Sequence, residues 1–174
     1  MISFTKYGLD FRSVNVNDAQ FILDLRLEER VSKFLSKTEN DLPKQQKWIL
    51  DYQSRENEGS EYYFLTENKE GISLGLNRIY NIQDQQFEIG SWIYLKNIHI
   101  KYPILGDLGT RDYGFEQLGL KYCVFNVRKE NKSVIKYHLS FNANIINEDD
   151  LNLFFQLDYD NYKIKRDQLL KKLL

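Results

Sequence analysis

Three side chains of this sequence, those of Glu88, Tyr137 and His138, are candidates for proton transfer. Glu88 lies in an apolar strand pattern between Phe87 and Ile89, and His138 follows Tyr137 in a candidate helix. A carboxylate held in a cleft can act as a general base, and a histidine or tyrosine can protonate a leaving group. The structural alternatives are a solvent-facing or arginine-paired Glu88 and a buried His138 bonded to a backbone carbonyl. Tyr137 takes the role of His138 if the helix register shifts by one residue.

The composition excludes several other kinds of chemistry. The chain has 174 residues, with 24 Lys and Arg against 25 Asp and Glu, and a formal net charge of −1. This balance disfavours nucleic acid as a partner, because phosphate-binding proteins carry an excess of cations. Cys123 is the only cysteine, so no intrachain disulfide forms, and its apolar strand pattern predicts a small buried side chain. The two histidines lack a metal-binding spacing, so we expect no metal.

No apolar run reaches the length of a membrane span or of a signal peptide. The longest run of hydrophobic residues is four, whereas a span needs ~20 and a signal peptide ~7–15. We therefore expect a cytoplasmic protein that does not enter a membrane. Compact domains usually contain about 100–200 residues, so residues 1–174 are expected to form one domain.

Apolar periodicity predicts the elements that must position the proton-moving residues. Helices are expected after Asn17-Asp18, over 41–59, 104–118 and 131–141, and a C-terminal helix over 159–174. Strands are expected over 8–14, 61–66, 72–80, 87–95 and 121–128, with a strand pair within 144–157.

The order of these elements predicts a mixed α/β fold. The strands from 61 to 95 form an antiparallel meander, whereas the strands 87–95 and 121–128 are separated by a helix that can make a parallel crossover. We expect a mostly antiparallel sheet of about seven strands, four or five helices and one parallel crossover. Gly106, Gly109 and Gly114 weaken the crossover helix, since each costs about 1 kcal/mol relative to Ala.

Four strings share an order and spacing that is specific when taken together. They are Phe11–Val14 with Asp18-Ala19, Phe87–Ile93, Tyr113–Leu120 and Asn126–His138. This arrangement resembles the GNAT superfamily of acyl-CoA-dependent N-acetyltransferases. It is most similar to the branch with the ribosomal-protein N-terminal and the nucleotide-sugar amine acetyltransferases, and it extends to about Tyr159.

The resemblance implies an acetyl-CoA-dependent N-acetyltransferase with direct transfer to an amine in a ternary complex. Glu88 then corresponds to the general base, because an amine attacks a thioester only when neutral. His138 stands seven residues after Asn131, where the family often has Tyr, and is expected to protonate the leaving thiolate or to contact the substrate. Asn131 would cap its helix and also bind the pantetheine arm.

In the family, pantetheine pairs with the strand segment that corresponds to Ile93, Tyr94 and Leu95. Acetyl-CoA is therefore expected in a cleft between the strands 87–95 and 121–128, near the ends of two parallel strands. The alternative for these three side chains is an ordinary place in the core.

The chain departs from the family at the loop that binds pyrophosphate. Glycines normally let backbone N–H groups approach the phosphates there, but residues 98–103 contain none. Charge on Lys101 and His99 could replace these amides, and Lys129 and Lys132 could meet the 3′-phosphate. The alternative for each lysine is solvated surface.

The acceptor is expected to be an amino sugar on a nucleotide carrier, since Glu61–Phe64 and Phe87–Gly90 resemble that subgroup. Its site is expected on the first two helices, near Tyr62-Tyr63 and Arg78–Tyr80. A protein N-terminus or another small amine is the rival acceptor. The glycine-free loop also favours a different class, a catalytically inactive GNAT-fold binding module. We expect a monomer or homodimer.

Overall fold

Strands and helices alternate through the chain in this computed structural model, which describes residues 1–174 except for the side chain of Val31. The strands are β1 (Ser3–Lys6), β2 (Leu9–Ser13), β3 (Tyr62–Glu67), β4 (Ser73–Gln83), β5 (Gln86–Tyr94), β6 (Tyr122–Arg128), β7 (Asn144–Glu148) and β8 (Asn152–Asp158). The helices are α1 (Ala19–Leu27), α2 (Glu29–Ser32), α3 (Leu42–Asn57), α4 (Lys101–Asp112), α5 (Lys132–Leu139) and α6 (Tyr159–Leu173).

The strands form an eight-stranded sheet in the order β1-β2-β3-β4-β5-β6-β8-β7. Neighbours are antiparallel except for β5 and β6, which run parallel and pair from Gln86↔Tyr122 to Glu88↔Val124. Helix α4 lies between these two strands in the chain and makes the crossover. The predicted mixed, mostly antiparallel sheet with one parallel crossover is confirmed.

The sequence reading missed β1, the short edge strand that raises the strand number from about seven to eight. Its residues pair with β2 across a two-residue turn of Tyr7 and Gly8, both with positive φ. This geometry suits the right-handed twist of a hairpin. An edge strand with exposed and half-buried residues gives only a weak apolar pattern.

The chain divides into two compact units. The first contains residues 1–80 and 90–110, and the second contains residues 81–89 and 111–174.

In the first unit, α1 and α3 contribute to the main apolar core. Its buried members are Val14, Ala19, Ile22, Leu25, Ile49, Tyr52, Tyr63, Leu65, Leu76 and Ile93.

Helix α4 of the first unit approaches its neighbours through glycines. A side chain at Gly106 would overlap the Tyr94 hydroxyl, and one at Gly109 would overlap the Phe11 ring. These glycines, which intrinsic propensity counts as weakening the helix, are therefore the residues that permit its close packing.

In the second unit, apolar side chains of β5 and β6 pack on one face. Phe87 contacts the π-helical turn at 113–117 that follows α4, where Gly114 leaves room for its ring. Cys123 is buried, as predicted.

Helix α6 occupies the predicted C-terminal segment and is fixed by a buried carboxylate. Tyr162 Oη and Arg166 Nη1 each donate to Asp112 Oδ1 over 2.8 Å.

Among the described helices, none has both the length and the apolar character that crossing a bilayer needs.

Candidate active site

The carboxylate of Glu88 accepts hydrogen bonds from both strands that flank β5. Asn81 Nδ2 on β4 donates to Glu88 Oε2 over 2.8 Å, and Asn126 Nδ2 on β6 approaches Oε1 at 3.4 Å. Glu88 is half-buried, whereas its neighbour Phe87 is fully buried. Because side chains alternate along a strand, Glu88 lies on the face opposite Phe87. Glu88 is thus an oriented, accessible carboxylate on a central strand.

His138 is buried on α5, with 4% of its surface exposed. Arg111 Nη2 lies 3.3 Å from its Nδ1, and the Phe125 ring centroid lies 4.1 Å from the imidazole centroid. Burial, reinforced by the Arg111 charge, lowers the pKa of His138 well below its usual range, so the ring is neutral at pH 7. A guanidinium can only donate, so Nδ1 accepts and the ring proton sits on Nε2. His138 is therefore held in the tautomer that presents an Nε2–H donor.

The two predicted proton-moving positions lie on opposite faces of the strands in the second unit. Phe87 pairs in register with Cys123, so Phe125 shares the Phe87 face. His138 contacts Phe125 and thus belongs to that face, opposite Glu88. Tyr137 is half-buried beside His138, with its ring 5.1 Å from the histidine ring. The sequence led us to expect both side chains in one cleft, approached from opposite sides, whereas the structure places them on opposite faces of the paired strands.

The segment Ile93–Leu95 presents its backbone groups alternately to the two edges of β5. Leu95 N donates to Leu74 O of β4 over 2.8 Å, so the backbone groups of Leu95 and Ile93 face β4. Those of Tyr94 face the other edge. The Tyr94 side chain is core, and its hydroxyl donates to Asn77 Oδ1 over 2.6 Å. Of the three predicted pantetheine contacts, Tyr94 has the suitable backbone orientation, while the cleft itself stays a prediction.

The N-terminus of α4 offers few backbone N–H groups for a phosphate. Lys101 N donates to His99 Nδ1 over 3.1 Å, and Tyr102 N donates to His99 O over 3.0 Å. Pro103 has no N–H. The Lys101 ammonium lies 5.2 Å from the Tyr102 ring centroid. Side-chain charge is therefore the means by which this end could bind phosphate.

The N-terminus of α5 carries the other predicted CoA contacts. Asn131 Oδ1 accepts from Val134 N at 3.5 Å and so caps the helix, as predicted. Lys132 is exposed, whereas Lys129 forms a 2.8 Å ion pair with Glu148. Lys132 is therefore the lysine better able to meet a phosphate.

A separate cavity of about 300 Å³ lies in the first unit. The sequence predicted an acceptor site on the first two helices, near Tyr63 and Arg78, and residues of these regions line the cavity. The sequence did not predict the polar segment 36–39 or Ser91, which has a positive φ of 50° within β5. A polar loop between two helices was the available signal for the segment, but nothing local indicated the backbone of Ser91. The lining residues are Ile22, Arg26, Ser36, Lys37, Thr38, Glu39, Asp41, Lys44, Gln45, Trp48, Tyr63, Arg78 and Ser91.

Aromatic rings and cations dominate the wall of this cavity. The Arg78 guanidinium lies 5.2 Å from the Trp48 ring centroid, and its Nε donates to the buried Glu61 over 2.6 Å. Arg26 donates to Thr38 Oγ1 over 2.6 Å and to Ser36 Oγ over 2.9 Å. Among the described residues, no carboxylate forms an ion pair with Arg26. The cavity therefore keeps positive charge for a ligand.

A mixed sheet with one parallel crossover and a carboxylate on its central strand is the arrangement of an acyltransferase fold. A family model described as "Acetyltransferase (GNAT) domain" matches residues 9–141. The chain belongs to this GNAT acetyltransferase family, and the predicted family is confirmed.

Solved structures agree with this assignment. Apo FdhC, described as a nucleotide-linked sugar GNAT, is 31% identical with a TM-score of 0.88, over 99% of each chain. Spermidine N-acetyltransferase from Vibrio cholerae, in complex with CoA and spermine, is 16% identical with a TM-score of 0.73, over 91% of this chain and 99% of that one. Ribosomal-protein-S5-alanine acetyltransferase from Vibrio fischeri is 14% identical with a TM-score of 0.71, over 93% and 99%. No curated protein matches the chain.

Proposed function

We propose that this protein is a cytoplasmic, single-domain enzyme that transfers the acetyl group of acetyl-CoA to the primary amine of a nucleotide-linked amino sugar. The main support for this class of acceptor is the cavity of the first unit, which is lined by cationic and aromatic side chains. The likeness to FdhC, a nucleotide-linked sugar GNAT, supports the same class of acceptor.

The charges of the cavity distinguish an anionic acceptor from a cationic one. Glu39 is paired with Lys44 over 2.7 Å, and Asp41 accepts from the backbone of α3, so both carboxylates have partners. A polyamine would meet the remaining cations, whereas a diphosphate would be attracted to them. Four basic side chains line the cavity against two acidic ones: Arg26, Lys37, Lys44 and Arg78 against Glu39 and Asp41. Lys44 is itself paired with Glu39 and Arg78 with Glu61, so among the described residues Arg26 and Lys37 are the lining cations without an ion pair.

The proton-moving residues have complementary roles in this proposal. Glu88 takes a proton from the amine, whose nitrogen then attacks the thioester carbonyl. As the C–S bond breaks, the leaving thiolate of CoA takes a proton, for which the hydroxyl of Tyr137 is the proposed donor. His138 is neutral, and its proposed role is to stabilise the thiolate with a hydrogen bond from Nε2–H, since a neutral imidazole does not give up this proton to a thiolate. Asn131 and the backbone of Tyr94 are the proposed pantetheine contacts, and Lys101, His99 and Lys132 the proposed phosphate contacts.

An acceptor panel tests the proposed substrate class. Initial rates are measured with a nucleoside-diphosphate amino sugar, the free amino sugar, spermidine and a peptide with N-terminal alanine. We expect the nucleotide-linked sugar to have the highest kcat/KM, and Arg26→Gln to raise its KM about tenfold, since a charge-assisted hydrogen bond contributes about 1.5–3 kcal/mol. Lys163→Gln, at an exposed position of α6, is the control. A faster reaction with the free sugar, spermidine or the peptide would reject this acceptor.

Lys101→Ala tests whether side-chain charge binds the phosphates of CoA. We expect a several-fold weaker affinity by calorimetry at low salt, because a cation near a pyrophosphate is lost. The difference from the wild type should shrink as salt rises, since screening weakens exposed charge pairs. An unchanged affinity with no salt dependence in the wild type would show that Lys101 is ordinary surface.

The N-terminus of α4 favours one alternative of another class, a GNAT-fold binding module without turnover. His99 already occupies two of the amides that the family's cradle would need. If the protein is such a module, it should neither bind CoA nor acetylate any amine of the panel. If it is the proposed enzyme, it should bind CoA and acetylate at least one of these amines.

A further inference from the structure

Three neighbouring strands bring two amides to one carboxylate in the second unit. Asn81 on β4, Glu88 on β5 and Asn126 on β6 form a row across the strands, with Nδ2···O distances of 2.8 and 3.4 Å. The two amides reach different oxygens of Glu88, Oε2 and Oε1. Each oxygen of the carboxylate therefore accepts from one amide, and these contacts restrict the rotation of the carboxylate about the Cγ–Cδ bond of Glu88.

Packing in the core does not explain the two asparagines. Both are exposed, so neither fills the core, and exposed polar contacts contribute little to stability. Asn81 also has a positive φ of 49°, a conformation that Asn tolerates better than most residues. The contact that both share is the carboxylate of Glu88.

We infer that Asn81 and Asn126 are positioning residues that orient Glu88 for proton abstraction. This inference rests on the proposed function, in which Glu88 is the base. An ionised carboxylate only accepts hydrogen bonds, so amide donors fix its orientation without competing for the proton that it takes. A glutamate without these bonds would spread over several rotamers, and misplacement of a reacting group lowers the rate strongly. The other charged residues on these strands and on the turn between β4 and β5 are Arg78, Arg128 and Asp84, and all three stay in place in the variants below.

A double-mutant cycle separates positioning from a general structural effect. Asn81→Gly removes the amide while keeping a backbone that accepts positive φ. We expect it to lower kcat about tenfold with little change in the KM for acetyl-CoA, and to have no further effect in a Glu88→Gln background. Asn126→Ala should behave alike with a smaller loss, about threefold, because its contact is longer. Asn142→Gly, at another positive-φ position, is the matched control and should keep the wild-type rate.

The outcomes distinguish this inference from the acceptor proposal. The cycle is run with whichever amine of the panel reacts fastest, so a wrong acceptor class does not affect it. Full additivity of Asn81→Gly and Glu88→Gln, or a rate of Asn81→Gly within twofold of wild type, would overturn the inference. A wild-type rate in Glu88→Gln would overturn both the base role and the positioning role. Melting curves of each variant confirm that the fold is intact.

Discussion

Glu88→Gln should lower kcat by about 100-fold or more while leaving the KM for acetyl-CoA nearly unchanged. General acid–base groups typically contribute 10²–10⁴-fold, and Gln keeps the size of Glu but cannot take the proton of the amine. The rate should also rise toward higher pH, because more of the amine must then be neutral without help. Initial rates across pH, with saturating acetyl-CoA, measure both effects.

The matched control for this variant is Glu148→Gln, on the exposed strand β7. This variant makes the same carboxylate-to-amide change on β7, the edge strand that lies three positions from β5 in the sheet. Its kcat should stay within twofold of the wild-type value. A loss below about fivefold in Glu88→Gln would remove Glu88 from the mechanism. Attack by an already neutral amine, with positioning as the main catalytic effect, would then be the surviving account.

Gly106→Ala should destabilise the protein by about 1–5 kcal/mol, although Ala is the better helix former. The helix gains about 1 kcal/mol, but the added methyl group overlaps the Tyr94 hydroxyl, and overpacking of a core costs about 1–3 kcal/mol. That hydroxyl bonds Asn77 at 2.6 Å and Thr66 at 3.0 Å, and displacing it leaves buried polar groups unpaired, at about 1–3 kcal/mol more. Thermal denaturation should show a Tm lower by roughly 2–20 °C.

Tyr94→Phe provides the matched test of this explanation, since it removes the atom that the new methyl group meets. The double variant should be more stable than the sum of the two single changes predicts. Strictly additive losses would mean that the Tyr94 hydroxyl is not the source of the strain.

Features that local sequence determines were predicted well. The buried strand around Cys123, the Asn131 cap and the antiparallel meander each follow from apolar alternation or from one side-chain hydrogen bond. Asn142, just after α5, has a φ of 57°, a left-handed conformation that Asn tolerates at the end of a helix.

Features that depend on tertiary contacts were not visible in the sequence. Gly106 counts as a defect until its distance to Tyr94 is known, because propensity describes the helix alone. The burial of His138 against Arg111 likewise depends on a contact between residues that are 27 positions apart in the chain. The amides at Glu88 come from residues 7 and 38 positions away, a spacing that no local pattern reports.

The bond between Arg166 and Asp112 links groups that are 54 residues apart in the chain. At 5–20 residues per second, translation separates the appearance of these partners by about 3–11 s. Until α6 is made, Asp112 has neither the guanidinium of Arg166 nor the hydroxyl of Tyr162, two groups that offset the cost of burying its charge. The residues of the first unit end at position 110, before this interval begins. During synthesis, every residue of the first unit is therefore present before the second unit can complete the packing of its buried carboxylate.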